Sequence, residues 1–357
     1  MRAALRTDYG DVDKLEIRDV REPEPGRGEV KGHVAASSIN PHAKGTQVMT
    51  NATRDGHNAA VEQVGRSAAI TGAGSGLGRD IALGLAEKGY AVFGTAMTDA
   101  EVQASDSRVS LSLCDIAKEQ DVKAWAGSVS AALGDGRGLD LLISNAGILT
   151  PGPLEVLPLD AIRREFEVNV FGALSVVNAF LPALRRARGR IVQVSTWTAS
   201  LPLPFNGPSG ASKAAMEVFA TVYRAELKRF GIDVVIAAAG NMRTGGPEKT
   251  AAALSRVADR MTAEQRALYG ETFGTFTAAL NGMQGSGLGS AAAAQRVIEL
   301  AEQVPPQSIA PVGADADQIL RFVREKSDAE LDTLRLQLAG LGEGNAGVQV
   351  ATTRRQP

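Results

Sequence analysis

Residues 68–89 read AAITGAGSGLGRDIALGLAEKG, and no other stretch restricts the fold as much. An apolar run leads straight into Gly72, Gly76 and Gly78, spaced G-x-x-x-G-x-G, and then into a helical pattern. A strand, a tight turn and a helix must therefore follow one another. Small residues let the backbone approach a pyrophosphate. The helix start adds N–H donors and the positive end of the helix dipole. Glycines also serve purely structural turns, but a preceding strand and a following helix make nucleotide binding the favoured reading. Ser75 and Leu77, between the glycines, belong to the same candidate phosphate loop.

From residue 66 to about 325, short apolar runs alternate with helical stretches. That rhythm predicts an α/β fold: a single doubly wound parallel sheet of Rossmann type, about seven strands, covered by helices. Strands are expected at 67–71, 90–95, 108–113, 139–144, 190–195, 232–238 and 307–312. Helices are expected near 77–88, 118–133, 159–187, 209–229 and 290–303. The Gly-, Ala- and Thr-rich stretch 241–289 reads as a lid or mobile excursion. Residues 1–45 alternate apolar and polar in short bursts between Gly and Pro signals, a β-rich appendage. Residues 46–65 are polar and aperiodic, a linker; residues 326–357 begin as a helix and end as a polar tail.

Composition removes several function classes. A net charge of −2 argues against a nucleic-acid or anionic-membrane partner. One cysteine, Cys114, excludes an internal disulfide framework and disfavours a Cys-based metal site. The three histidines, His33, His42 and His57, all precede residue 60, so neither Ser-His-Asp chemistry nor a His-rich metal site can be built in the main body. No metal ligand set is expected. With no basic-then-apolar leader and no apolar run long enough to span a bilayer, the expectation is a cytoplasmic chain with no membrane partner.

The second strand of such a sheet should end in the residue that reads the adenosine ribose. An acid there accepts from the 2′-hydroxyl of NAD; a base accommodates the 2′-phosphate of NADP. Ala96 and Met97 occupy these positions, which leaves NAD or NADP open and, without a repelling acid, tilts toward NADP. Asp99 reads as a turn cap.

Several motifs now stand in order: TGAGSGLG (71–78), CDI (114–116), SNAG (144–147), VNVFG (168–172), IVQVST (191–196) and SGASKAA (209–215). Together they resemble the short-chain dehydrogenase/reductase family over residues 66 to about 335. LPLPFNGP and PVGADADQIL resemble its steroid- and retinol-dehydrogenase-like branch. The resemblance implies that Asp115, with Ile116, holds the adenine, the alternative being a strand-end cap. It implies that Asn145, Ala146 and Gly147 steady the sheet beside the cofactor. It gives Asn169 a water of a proton relay, the alternative being an interfacial polar residue. Lys213 would bind the nicotinamide ribose and lower the pKa of a neighbouring proton donor, the alternative being a solvated lysine.

Two catalytic positions depart from the family. Thr196 stands where the family has a substrate-polarising serine, a mild change that keeps the hydroxyl. Ser209 stands where the family has its tyrosine. A phenol titrates near pH 10 and can be tuned toward neutrality, whereas an alcohol is a far weaker acid and shorter by several ångströms. AAAG (237–240) also lacks the proline usual before that glycine. Of the four tyrosines, Tyr269 in the expected lid is the best substitute donor; Tyr90 and Tyr223 lie too far away, and Tyr9 is in the appendage.

The resemblance implies a hydride-transfer enzyme acting on a small carbonyl or alcohol, apolar to match Met242, Leu254, Met261, Leu268, Phe273 and Phe276. Ser209 keeps two alternatives open: an NAD(P)-binding pseudoenzyme or regulatory subunit, and a non-redox cyclase or isomerase. Helices 159–187 and 209–229 resemble those of the family's four-helix interface, so a homodimer or homotetramer is expected. Residues 1–45 resemble the GroES-like opening of quinone-oxidoreductase-like medium-chain dehydrogenases, cut short and favoured as a fusion relic. His42 there reads as a loop histidine.

Overall fold

The computed structural model describes residues 2–6, 15–19, 65–244 and 246–342. The chain divides into two units, Met1–Gln63 and Val64–Pro357. In the first, β1 (Arg2–Arg6) and β2 (Leu15–Asp19) pair antiparallel, with Arg2 opposite Asp19 and Arg6 opposite Leu15. The rest of the β-rich appendage, including Tyr9, His33 and His42, lies outside the described residues, as does the linker through residue 64.

The second unit is a parallel seven-stranded sheet in the order β11-β8-β7-β6-β3-β4-β5. Its strands are β3 (Ser67–Ile70), β4 (Ala91–Ala96), β5 (Val109–Leu113), β6 (Leu141–Ser144), β7 (Arg190–Thr196), β8 (Asp233–Ala239) and β11 (Ile309–Val312), each at an expected position. Every residue of β3 and β6 is buried, because helices cover both faces; this is why the strands read as unbroken apolar runs. On one face α1 (Gly76–Glu87) and α9 (Ser290–Glu302) bury Ile81, Leu85, Val297 and Ile298. On the other, α3 (Glu119–Leu133), α5 (Ala173–Ala187) and α6 (Gly207–Leu227) bury Trp125, Phe180 and Leu184. Trp125 meets Phe180 edge to face, with ring centroids 4.8 Å apart. Pro311 lies in edge strand β11, which needs ladder bonds on one side only.

Strand order reverses between β3 and β6, so the crossovers leaving them depart in opposite directions and open a crevice at their carboxyl ends. Short α2 (Asp99–Gln103) follows β4, and it is Thr98 rather than Asp99 that caps it, accepting from the Glu101 N–H.

Two regions differ from expectation. The helix over 159–187 forms, but as α4 (Leu159–Phe166), a π-helical turn over Glu167–Gly172, and α5. This continuous segment is also long and apolar enough to cross a membrane, which corrects the expectation that no run is. Its most apolar window is 56% buried inside the fold, as a core helix would be.

The stretch 241–289 is not an irregular excursion. It holds β9 (Met242–Arg243), α7 (Gly246–Arg260), α8 (Ala263–Gly285) and β10 (Leu288–Gly289), with β9 and β10 paired in parallel. Thr262 and Gln265 form a capping box at the start of α8. Phe273, Phe276 and Leu280 of α8 pack with Trp197, Leu201 and Leu203, and with α10 (Ala314–Glu325) and α11 (Asp328–Leu338). Phe276 is fully buried, 5.5 Å from the Phe205 ring and 6.3 Å from Phe273. Replacing Phe276 by Ala is expected to cost about 3–5 kcal/mol in denaturant unfolding, since this cluster ties α8 to the loop after β7 and to α10 and α11.

Candidate active site

The phosphate turn is set by contacts among three strand ends. Thr71 Oγ1 accepts from the N–H groups of Asn145 and Ala146, each at 2.9 Å. Asn145 Nδ2 donates back to the Thr71 carbonyl at 3.0 Å, and the Gly72 N–H donates to Thr95 Oγ1 at 2.9 Å. Gly72 takes φ +68°, a conformation that suits glycine. At Gly78 a Cβ would lie 2.1 Å from the Gly72 carbonyl oxygen and 2.6 Å from Asn145 Nδ2, so helix and turn touch where only hydrogen fits. Ser75 is the N-cap of α1 yet makes no side-chain cap bond, and no acid stands in the first turn. A helix start left uncapped beside a glycine cradle fits the pyrophosphate of a dinucleotide.

The turn opens into a cleft of about 690 Å³ at the sheet's switch point. Gly72, Ser75, Asp115, Ile116, Asn145, Ala146, Gly147, Thr196, Ser209 and Lys213 all line it. Gly76, Leu77, Gly78 and Asn169 do not: Leu77 packs toward the core, Gly78 lies against the Gly72 carbonyl and Asn145, and Asn169 is buried. Asp115 caps the end of β5 and also lines the cleft. It faces the cleft while Oδ1 accepts from the Ala117 N–H at 3.1 Å and Oδ2 pairs with Arg164 at 3.0 Å. Burial works to raise its pKa, but these partners prevail and hold it below the usual carboxylate range.

At the adenosine end an acid is present that strand position did not reveal. Glu101, from α2, turns back so that Oε2 accepts from the Met97 N–H at 2.9 Å, and it lines the cleft beside Ser75. Burial raises its pKa; the Met97 N–H, the Ser75 hydroxyl and the charge of Lys249 outweigh it and keep the carboxylate ionised. Ala96 and Met97 carry no acid themselves; the carboxylate beside them comes from α2.

At the other end Lys213 Nζ donates to the Val194 carbonyl at 3.1 Å. A Cβ on Gly147 would lie 3.1 Å from Asn169 Oδ1 and 3.3 Å from Lys213 Nζ, so glycine permits the approach of all three. Asn169, in the π-helical turn, is gripped on both sides of its amide. Its Oδ1 accepts from the Ile148 N–H at 2.9 Å, and its Nδ2 donates to the Ile148 carbonyl and to Ser212 Oγ, each at 3.0 Å. Ser209 is buried at 8% exposure; its carbonyl accepts from Ser212 Oγ at 3.1 Å. Thr196 ends β7 and its hydroxyl accepts from the Thr198 N–H at 3.4 Å.

Two acids flank the lysine. Glu165 is fully buried, with Oε1 3.3 Å from Asn169 Nδ2, and burial pushes its pKa up to about 7. Glu217 is also raised by burial, and Ser195 Oγ donates to it at 2.6 Å. Burial lowers the pKa of Lys213, while Glu165 and Glu217 pull it back. Cys114 lines the cleft but burial pushes its thiol up to about 12, which leaves it unreactive.

The structure gathers the sequence-derived residues around one crevice and removes the substitute phenols. Tyr269 donates to Glu155, Tyr90 to Glu302 and Tyr223 to Asn178, and none of the three lines the cleft. Sequence reasoning missed Glu101, Glu165, Glu217 and the basic wall of α7, Lys249 and Arg256. Only Glu165 left a readable trace, four residues before Asn169 and so on the same helix face.

A family model for short chain dehydrogenase matches residues 66–254. Estradiol 17-beta-dehydrogenase 2 of Mus musculus is 33% identical over 183 residues, 49% of this chain and 48% of that protein. The match thus spans about half the length of that relative. Short-chain dehydrogenase/reductase family 9C member 7 of Homo sapiens is 33% identical over 211 residues, 57% of this chain and 67% of that protein. A short chain dehydrogenase from Burkholderia cenocepacia J2315, solved in complex with NADP, superposes with a TM-score of 0.59 at 25% identity, covering 77% of this chain and 98% of that one. The matched family residues begin at 66, so the GroES-like resemblance of residues 1–45 gains no support from them.

Gly78→Ala is expected to abolish nucleotide binding in a fluorescence titration with NADPH while the far-UV spectrum keeps its α/β shape, because the added carbon displaces the turn rather than the core.

Proposed function

The chain belongs to the short-chain dehydrogenase family, and on that premise we propose that it transfers a hydride between NAD(P)(H) and a small carbonyl or alcohol. The observation that carries this reading is Lys213 held against Val194, Asn169 and Gly147 in the same cleft as the phosphate turn. When bound, the dinucleotide supplies or accepts the hydride. The Gly72–Gly78 turn would hold its pyrophosphate, Asp115 and Ile116 its adenine, and Lys213 the ribose nearest the nicotinamide. Thr196 would polarise the substrate oxygen from the end of β7. Leu203, Leu280 and Met242 give that oxygen's neighbours an apolar wall, which supports an apolar substrate.

Ser209 favours a second reading, binding without turnover, because its hydroxyl can neither ionise near neutrality nor reach as far as a phenol. The two separate in one experiment. NADH and NADPH are titrated by fluorescence, and oxidation is then followed across a panel of aldehydes and ketones. Oxidation supports hydride transfer, binding alone supports the second reading, and absence of binding removes both. Ser209→Tyr is expected to raise carbonyl reduction by about tenfold or more. No gain in a folded variant that still binds the dinucleotide would mean that the missing phenol is not what limits turnover.

Glu101 sets a charge against a 2′-phosphate. Glu101→Gln is therefore expected to raise NADPH affinity relative to NADH by about tenfold, read from the same titration. Phe171, Val218, Phe219 and Val222 are exposed on the helices that resemble the family's interface, which supports a homo-oligomer.

A further inference from the structure

We propose that Glu165 is the proton store of this site: a carboxyl enclosed behind Lys213 and Asn169 that supplies the proton a phenol at residue 209 would hold. The inference rests on the hydride-transfer reading above. Reduction of a carbonyl adds a hydride to carbon and a proton to oxygen, so some group must hold that proton near neutral pH. Ser209 cannot, the phenols of Tyr90, Tyr223 and Tyr269 are engaged elsewhere, and the Cys114 thiol is pushed out of range. Asp115 and Glu101 are held in their charged forms by their partners.

Glu165 differs from these acids in its surroundings. It has no exposed surface, Oε1 lies 3.3 Å from Asn169 Nδ2, and Oε2 is buried without a hydrogen bond. A fully enclosed carboxyl with one oxygen lacking a hydrogen bond keeps a proton more readily than an exposed one. The charged group facing it is Lys213 of α6, with Glu217 beyond that lysine. Thr150 in the loop after β6, Asn169 in the π-helical turn and Ser212 on α6 face it as uncharged polar groups. The neighbouring Arg164 is turned to Asp115 instead. Burial carries the carboxyl up to about 7, against the pull of Thr150, Lys213 and Ser212 toward the charged form.

The proton balance is simple. The Lys213 ammonium would pass a proton to a water in the space a phenol would fill, and that water would protonate the substrate oxygen as the carbon gains its hydride. The carboxyl of Glu165 would then return a proton to the lysine through an intervening water, leaving a Glu165 carboxylate and restoring the ammonium. Solvent restores the proton to Glu165 after product leaves. Glu165 acts through Lys213 and is in that sense a positioning residue, not a catalytic one.

The test is the pH profile of kcat for reduction of whichever carbonyl in the panel turns over. In the unaltered chain kcat is expected to be high in acid and to fall as pH rises through about 7. Glu165→Gln should lower kcat about tenfold, leave KM and NADPH affinity within about twofold, and erase that inflection. Ser209→Tyr in the Glu165→Gln background should recover the rate, which no purely structural role would allow. If Glu165→Gln fails to fold, Glu165→Asp should keep the inflection and move it. An inflection that persists in Glu165→Gln overturns the store alone. Dinucleotide binding with no turnover in the unaltered chain overturns the hydride-transfer reading and the store with it.

Discussion

At the switch point of the sheet the chain parts, because the crossovers from β3 and β6 run opposite ways, and the backbone groups at the two strand ends lose their ladder partners. The Thr71 hydroxyl answers both N–H groups on the β6 side, at Asn145 and Ala146, while Asn145 Nδ2 returns a bond to the Thr71 carbonyl. Orphaned amides at this depth would each cost roughly 1–3 kcal/mol. The same three contacts fix where Asn145 Nδ2 lies, and Gly78 must pack against that atom and the Gly72 carbonyl. Turn, helix start and cleft mouth are therefore positioned together.

Electrostatics at the far end depend on an odd number of buried charges. One ammonium, Lys213, stands between Glu165 and Glu217. If both acids were ionised, one would lack compensation in a region of low dielectric, which the surroundings resist by raising both carboxyl pKa values. Ser195 gives Glu217 a short 2.6 Å bond that favours its charge, whereas Glu165 keeps an oxygen with no partner. Burial and the oxygen without a partner both favour the protonated form at Glu165.

How far the sequence reveals this depends on whether the determining residues are neighbours in the chain. Strands β3 and β6 are buried on both faces and read directly as apolar runs. The turn is equally legible, since its glycines answer to contacts within a few residues. The α7–α8 segment is not: its Ala, Gly and Thr content resembles a loop, and its helical stripe of Phe273, Phe276 and Leu280 packs on Trp197, Leu201, Leu203, α10 and α11, elements far away in sequence. Glu101 escapes for a related reason. The acid arrives from α2 rather than from the end of β4, and only the backbone path through Thr98 brings it back to Met97. The π-helical turn leaves no compositional mark at all, although it sets the angle at which Asn169 meets Ile148.

Ser209, by contrast, is conspicuous in the sequence and quiet in the structure. The position of Lys213 is set by the Val194 carbonyl, by Gly147 and by two acids, none of which involves the side chain at 209. Ser212, one turn along the same face, ties α6 to Asn169 and to the Ser209 carbonyl, again without the Ser209 hydroxyl. Loss of a phenol at 209 thus removes a proton donor while the lysine and the dinucleotide cradle keep their geometry. Binding and proton delivery are thus physically separable, and the proton store proposed at the fully buried Glu165 would belong to the second.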